Sequence, residues 1–302
     1  MDFKQIEAFV YVVRHKSFSR AADAIYLTQP TISAHISSLE KELGIKLIDR
    51  SGKDIEPTEA GRLFYEHAAN LMNIRDNAIF SLSSYNNSVK GKIEIAASTV
   101  PSQIILPRLM KSFLFKYQDI SFSIVQMDSE EVTAAILEKK YEIGIVGTKV
   151  QSAKLCCNKL AEDKLVLITA NNEKYAAINK EKIPFSTIAM EGFIIRETGS
   201  GTRHEFERII EESGIHKSSI NIIAQMNSIE AIKQSVSMGL GVSIMSQLSV
   251  QDYVRCGLLK AFDIEGLDLS RAFYIIHMAN RPLSPLSNLF LKFIDEQINK
   301  DA

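Results

Sequence analysis

The chain changes its pattern of apolar residues near Gly91, and this change limits the folds that it can adopt. Before this glycine, apolar residues recur at helical spacing; after it, short apolar runs typical of strands alternate with helical segments. Such alternation predicts an α/β region whose parallel sheet carries helices on both faces. We therefore expect an α+β multidomain protein with a helical N-terminal domain, a long linker helix and a two-lobed C-terminal α/β domain.

The composition suits a folded protein with more than one domain. A chain of 302 residues with 46% hydrophobic content can form one small core and one larger core. No apolar run approaches the roughly 20 residues that cross a bilayer, and Met1 leads directly into an amphipathic segment without a leader peptide. We therefore expect a cytoplasmic protein with no membrane partner.

Charge and cysteine content exclude further classes of site. The net charge of −1 gives no sign of nucleic-acid binding, so any such function must be argued from geometry. Cys156, Cys157 and Cys256 lack CxxC spacing and a neighbouring histidine pair, which favours reduced structural thiols. We expect no metal and no cofactor.

Three short helices are predicted within the first 44 residues. Thr28 can cap the third helix, which ends at Gly44. A buried stripe at spacings of three and four residues is formed by Ile32, Ile36, Leu39 and Leu43. This stripe must face a core formed with the first two helices.

The opposite face of the third helix carries small side chains where a solvated helix usually carries Glu, Lys or Gln. Its residues are Pro30, Ser33, Ala34, Ser37, Ser38 and Lys41. Short side chains allow the close approach that a helix-turn-helix recognition helix needs in the DNA major groove. A capped helix with a solvated face is the alternative.

The residues after the third helix favour DNA binding. Residues 45–48 and 55–57 predict a two-stranded hairpin, which would act as a wing. This hairpin would place Arg50 and Lys53 beside the phosphates that flank the groove.

The stretch AFVYVVRHKSFSRAADAIYLTQPTISAHISSLEKELGIKLIDRSGKDIEPTEAG, residues 8–61, resembles the winged helix-turn-helix of LysR-type transcriptional regulators throughout its length. The resemblance implies a double-stranded DNA operator as partner. The DNA-binding residues that we predict are Gln29, Thr31, Ser33, Ala34, His35, Ser38, Arg50 and Lys53. Ala34 stands where many members of the family carry arginine.

A long helix is predicted after Thr58, and its apolar positions repeat with a period near 3.5, as a two-helix seam requires. These positions are Phe64, Leu71, Ile74, Ala78, Leu82 and Tyr85. The stripe could pack on the chain's own C-terminal domain, but the family resemblance implies a seam between subunits of a homodimer or homotetramer. RNA polymerase is a candidate further partner of such a regulator.

Residues 91–298 resemble the effector domain of the same family, which has a periplasmic-binding-protein-like fold. The predicted domains are a winged helix-turn-helix (1–58), a linker and dimerisation helix (59–90) and an effector-binding domain (91–302). Lobe I comprises 91–163 and 267–302, and lobe II comprises 164–266.

Ligands of open α/β sheets bind beyond the carboxyl ends of the strands. The effector-binding residues predicted there are Ser98, Thr99, Ser102, Thr148, Glu197, Ser200, Gly201, Thr202, Arg203 and Asn227. The motif GSGTR, residues 199–203, combines backbone N–H groups at a helix start with a cation, which favours an anionic ligand. A capped turn with a solvated arginine is the alternative.

GSGTR also occurs in the family branch that regulates sulfur assimilation and cysteine synthesis. The motifs AASTVPSQIILP, EIGIVGT and AIKQSVSMGLGVSI resemble the branch associated with selenium metabolism. We therefore predict a DNA-binding transcriptional regulator controlled by a small anionic effector. An exported solute-binding protein would need a leader peptide. An enzyme with an attached DNA-binding head would need a catalytic motif such as GxSxG, HExxH or a P-loop, and we find none in the sequence.

Overall fold

The computed structural model describes residues 1–49, 55–85, 89–178 and 180–301. The chain divides into two compact units, which are Met1–Val89 with Arg281–Asn288, and Lys90–Asn280 with Leu289–Ala302. No helix of the described part is long and apolar enough to cross a membrane. The residue limits of the predicted domains and lobes stay predictions.

The first unit begins with three helices and a short hairpin, as the sequence predicts. The helices are α1 (Phe3–His15), α2 (Phe18–Ala24) and α3 (Gln29–Leu43). Strand β1 (Ile48–Asp49) then pairs antiparallel with β2 (Glu56–Pro57). The predicted DNA contacts Arg50 and Lys53 lie between these strands, outside the described residues.

Three of the four residues of the predicted stripe of α3 meet α1 and α2 in one apolar core, whereas Leu43 at the end of the helix is 40% exposed, which corrects the prediction for that residue. Ile32, Ile36 and Leu39 are fully buried there, together with Phe9 from α1. Because these side chains come from successive turns of α3, packing fixes which face of the helix points outward.

The long helix α4 (Glu59–Tyr85) does not present its apolar stripe as one continuous seam. Phe64 and Leu71 pack on the core of the first unit. Ile74 and Leu82 are 61% and 70% exposed, and Ala78 between them is also exposed. The Tyr85 side chain lies outside the described part. Ile74, Ala78 and Leu82, the described residues in the later part of the stripe, are therefore available to pack on another surface.

The second unit contains the predicted alternation of strands and helices. Its strands are β3 (Gly91–Ala97), β4 (Ile120–Gln126), β5 (Ile143–Val146), β6 (Leu155–Ala170), β7 (Lys182–Ile183), β8 (Gly192–Arg196), β9 (Asn221–Met226), β10 (Ser243–Ser246), β11 (Leu259–Ile264) and β12 (Ser270–Met278). Its helices are α5 (Leu106–Lys116), α6 (Ser129–Leu137), α7 (Glu173–Ala176), α8 (Gly201–Glu212), α9 (Ile229–Ser237), α10 (Gln247–Arg255) and α11 (Pro285–Asp301), the last of which begins in the first unit.

The main sheet is mixed, which corrects the prediction of a parallel sheet. Strands run in the order β4-β3-β5-β12-β6-β11-β7, and β10 also pairs with β6. The pairs β3–β4 and β3–β5 are parallel, as βαβ units require. The pairs that β6 forms with β10, β11 and β12 are antiparallel. Local periodicity could not show this, because pairing direction depends on distant parts of the chain.

Strand β6 pairs with β12 along its first part and with β10 and β11 along its last part. Strands β6 and β12 pair from Lys164 opposite Ser270 to Leu155 opposite Met278, with an irregularity after Phe273. A second, smaller sheet of β8 and β9 is parallel. The ends of β3, β5 and β8 come together with the starts of α6 and α8, and this arrangement creates the cleft described below.

Two helices differ from the sequence prediction. The segment predicted as one helix from Pro101 to Lys116 starts as a π-helix (Pro101–Ile105) before α5 begins. The helix expected after the strand that ends at Ala170 is the single turn α7. Strand β11 was not predicted.

Candidate functional site

Helix α3 is fixed at both ends by its own sequence. Thr28 has an extended backbone, and its hydroxyl accepts the Thr31 N–H at 3.4 Å. Pro30 occupies the first turn, where its missing N–H has no helical acceptor to lose. Gly44 ends the helix with a φ of +67°, a conformation that glycine adopts without strain.

The predicted DNA contacts on α3 are exposed or half-buried, and none of them is fully buried. Gln29, Ala34 and Ser38 are exposed, and Thr31, Ser33 and His35 are half-buried. These side chains are short or uncharged, so the helix can approach a partner surface closely. The Ser38 hydroxyl accepts a hydrogen bond from Gln5 Nε2 at 3.1 Å, which ties this end of the face to α1.

The turn before α3 exposes a residue that sequence reasoning missed. Tyr26 has a φ of +56°, and its side chain is 96% exposed. Leu27 N donates to Ala22 O at 3.0 Å, so the turn is a Schellman cap in which glycine would normally stand. Tyr26 contributes nothing to the core and lies beside the start of α3.

Glu40 connects α3 to the hairpin. This residue is 3% exposed, and its Oε1 accepts the N–H groups of Leu47 and Ile48 at 2.9 and 3.1 Å. Its Oε2 accepts Lys46 Nζ at 2.7 Å. Burial alone would raise the pKa of Glu40, but the hydrogen bonds from Lys46 and the two amides hold this pKa below its usual range. The carboxylate therefore fixes the start of the wing relative to α3.

The second candidate site is a cleft between the two lobes. Its polar lining comes from the ends of three strands, the starts of two helices and the start of β12. The residues are Ser98, Thr99, Asp128, Ser129, Gly147, Arg196, Glu197, Ser200, Gly201, Thr202 and Arg271. Of the predicted effector-binding residues, the structure brings together Ser98, Thr99, Glu197, Ser200, Gly201 and Thr202.

The glycines of GSGTR allow the lobes to approach each other closely. A Cβ on Gly199 would overlap the Asp128 carboxylate, and a Cβ on Gly201 would lie 2.8 Å from Ser129 Oγ and 3.2 Å from the Gly147 backbone. The sequence interpretation assigned these glycines to anion binding alone. Their absent side chains also make room for the opposite lobe.

The start of α8 faces the cleft without a side-chain cap. The Ser200 hydroxyl makes no capping hydrogen bond, although Ser200 O accepts His204 N at 2.9 Å. The first-turn N–H groups have no acceptor within the helix. They therefore present partial positive charge to the cleft.

Arg271 lies on β12 and is the most completely buried cation of the cleft. Its Nε donates to Asp163 Oδ2 at 2.8 Å, and its Nη1 donates to Thr202 Oγ1 at 3.0 Å. Nη2 is buried and has no hydrogen-bond partner among the described residues. Burial lowers the pKa of Arg271 and the Asp163 carboxylate opposes this shift, but an arginine in a protein keeps its proton.

The cleft does not include the other predicted effector residues. Arg203 turns along α8, where its Nε donates to Glu207 at 2.7 Å and its Nη1 to Gln225 at 2.9 Å. Ser102 Oγ donates to Thr99 O at 2.9 Å. Thr148 lines a neighbouring groove that also contains Gly147 and Arg271, and Asn227 lines a different groove with Ser228 and Glu230. The structure therefore does not bring Arg203 together with the hydroxyl groups of lobe I.

Arg196 and Arg271, rather than Arg203, are the arginines that line the cleft. Arg196 forms two hydrogen bonds with Glu197, at 2.6 and 2.7 Å, and a third with Thr99 Oγ1 at 3.2 Å. The signal in the sequence that could have identified both arginines is a charged residue at the end or start of an apolar strand.

Among the described residues, no cluster of His, Cys, Asp and Glu could hold a metal ion.

Two family models cover most of the chain. Residues 3–62 match the bacterial regulatory helix-turn-helix protein, lysR family, and residues 86–299 match the LysR substrate binding domain. An uncharacterised HTH-type transcriptional regulator of Methanocaldococcus jannaschii is 32% identical over 92% of this chain and 93% of its own length. The HTH-type transcriptional activator CmpR of Synechocystis is 29% identical over 96% and 93%, and CysL of Bacillus subtilis is 26% identical over 92% and 91%.

Solved structures show the same fold. A full-length OxyR variant of Pseudomonas aeruginosa superposes with a TM-score of 0.73 over 97% of this chain and 94% of that chain, at 17% identity. The CcmR regulatory domain of Synechocystis in complex with 2-PG gives a TM-score of 0.61 over 68% and 96%, at 26% identity. The winged helix-turn-helix, the two-lobed α/β domain and these matches together show that the chain belongs to the LysR family of transcriptional regulators.

Proposed function

We propose that α3 enters the major groove of a double-stranded operator and that a small molecule in the cleft controls the resulting complex. The outward face of α3 supports DNA binding, because the exposed side chains of its first turns are small or uncharged, while Ile32, Ile36 and Leu39 on its other face are fully buried. Gln29, Thr31, Ser33, Ala34 and His35 are the proposed base and phosphate contacts.

The proposed ligand-binding site is the cleft. An uncapped helix start and a buried guanidinium with an unpaired N–H both favour a group with negative charge. The CcmR regulatory domain, solved with 2-PG, supports a small-molecule ligand in a domain of this kind. We propose an effector that carries a carboxylate or another oxyanion. The sulfur and selenium branch stays a prediction.

Further parts of the proposal concern assembly and chemistry. The exposed part of the α4 stripe supports a homodimer or homotetramer. The proposed DNA target supports a cytoplasmic location, with RNA polymerase as a candidate partner.

The described residues that line the cleft include no histidine or cysteine to pair with a nucleophile. The relatives are named as regulators, and both observations support a role other than catalysis.

Selection of duplexes from a random pool by the full-length protein, followed by footprinting, tests the DNA-binding proposal. We expect a partly palindromic site whose half-sites lie about one helical turn, or a multiple of it, apart. If no sequence is enriched and binding depends only on salt, the binding is non-specific and the proposal is wrong.

A further inference from the structure

Tyr26 combines a strained backbone with an exposed aromatic ring. Lys16, Tyr26 and Lys139 are the non-glycine residues with positive φ in the described part of the chain, and Tyr26 is the aromatic one. Its φ of +56° is a conformation that bulky residues rarely adopt. Its side chain is 96% exposed and forms no hydrogen bond or ring contact with the described residues. Such contacts therefore do not compensate the strain.

The turn between α2 and α3 does not itself require a tyrosine. Leu27 N donates to Ala22 O at 3.0 Å and Tyr26 N donates to Asp23 O at 3.4 Å, which is the hydrogen-bond pattern of a Schellman cap. Both hydrogen bonds use backbone groups only, and glycine adopts the left-handed conformation at such a position without the penalty of a Cβ. A strained residue that the fold does not require points to a function.

The position of Tyr26 is suited to a contact with the DNA backbone. It lies two residues before Thr28, the cap of α3, and residues 26–30 are all exposed. In a helix-turn-helix, the first residues of the recognition helix contact base edges, while the preceding helix crosses the sugar-phosphate backbone. Since Tyr26 joins these two helices, the proposed complex places it beside a DNA strand rather than above the bases.

The phenol of tyrosine has the chemistry for such a contact. Its hydroxyl can donate to a phosphate oxygen, and contacts of this kind fix the position of a protein on the duplex without reading its sequence. Residues 1–49 contain as many Asp and Glu residues as Lys and Arg residues, so they carry no excess of positive charge. A neutral donor holds a phosphate there without a further cation.

We propose that Tyr26 is a phosphate contact of the operator complex, in which its hydroxyl donates a hydrogen bond to the DNA backbone beside the start of α3 in each half-site. This inference rests on the proposed DNA-binding function and adds one residue to the predicted contacts. Because a phosphate carries no sequence information, the contact strengthens binding to the operator and to its base-pair variants alike. Because the phenol is neutral, the salt dependence of binding stays the same without it.

The variant Tyr26→Phe removes the hydroxyl alone. Fluorescence anisotropy of the full-length protein measures its affinity for the selected operator and for operators with one changed base pair. Since a hydrogen bond to a charged group is worth roughly tenfold to a hundredfold in affinity, we expect at least about tenfold weaker binding to every duplex, with the same slope of log K against log salt. Affinity within about twofold of the unaltered protein, or a loss that differs between base-pair variants, overturns the proposal.

Operators with a single methylphosphonate identify the phosphate. This substitution removes the charge of one phosphate and weakens any hydrogen bond to it. We expect one position in each half-site at which the loss of affinity is at least about fivefold smaller for Tyr26→Phe than for the unaltered protein, because the two changes remove the same contact. If the losses are equal for both proteins at every position, Tyr26 does not contact a phosphate.

The variant Tyr26→Gly separates DNA binding from folding. Glycine removes the backbone strain together with the side chain, so we expect at least about tenfold weaker operator binding and a urea midpoint no lower than that of the unaltered protein. Lys139→Gly is the matched control, because Lys139 holds the same position in a Schellman cap after α6, where Lys140 N donates to Ala135 O at 2.9 Å. Its operator affinity should stay within about twofold. A lower urea midpoint for Tyr26→Gly would show that Tyr26 stabilises the turn and would overturn the proposal.

Selection of the operator separates this inference from the proposed function. If the protein selects an operator and the Tyr26 variants bind it as the unaltered protein does, the inference about Tyr26 alone is wrong. If the protein selects no operator, the proposed function and this inference both fail.

Discussion

At the scale of single residues, Glu40 shows how a buried charge can position a DNA-binding element. Glu40→Gln should destabilise the first unit by about 1 to 3 kcal/mol, because the Lys46 pair and part of the bonding to Leu47 and Ile48 are lost. The folded-state pKa of Glu40 is depressed, so its contribution is fully present above about 4.3, the ordinary value for glutamate, and is lost progressively as the pH falls from there through the lower folded-state pKa. A series of urea titrations from neutral pH into this acidic range measures the loss. The control Glu42→Gln removes an exposed charge of the same helix and should lower the free energy of unfolding by less than about 1 kcal/mol. Equal losses of unfolding free energy in both variants would contradict the role of Glu40.

At the scale of elements, α4 combines two surfaces in one helix. Its first half packs on the core, while Ile74 and Leu82 expose apolar area that a second copy of the helix would bury. We expect the double variant Ile74→Asp with Leu82→Asp to shift the protein towards monomer by sedimentation equilibrium, with the far-UV circular dichroism unchanged. Replacing exposed Glu66 by Asp on the same helix should leave the number of subunits in the assembly unchanged. A double variant that sediments as the unaltered protein does would show that α4 is not the subunit seam.

Elements with a local cause could be predicted from the sequence. The helix period, the Thr28 cap and Gly44 define α3 within a few neighbouring residues, and the structure confirms them. Contacts over long sequence distances could not be predicted in the same way. GSGTR correctly marks the start of α8, but Arg203 lies in the first turn of the helix and reaches Glu207 one turn further on. Arg271 enters the cleft only because β12 pairs with β6, a partner more than a hundred residues earlier.

At the scale of the whole molecule, the two units carry separate tasks. The outward face of α3 is complete within the first unit, and the cleft is formed entirely by residues of the second. A small ligand can therefore bind without touching DNA, and any effect on the operator has to arise from a change between states of the complete protein. Control of the operator by a ligand requires that α3 is the surface that reads DNA.

The most direct measurement of this claim compares two substitutions at Ala34, which is exposed on the outward face of α3. Fluorescence anisotropy of the full-length protein on its selected operator gives the affinity of each. Ala34→Ser keeps the side chain small and neutral, and we expect binding within about threefold of the unaltered protein. Ala34→Glu places a carboxylate against the groove, and we expect a loss on the order of 100-fold or more, since each disrupted base contact costs about 1 to 3 kcal/mol. Ser218→Glu adds the same charge to an exposed position of the second unit and controls for net charge. Operator affinity of Ala34→Glu equal to that of Ala34→Ser would contradict the account.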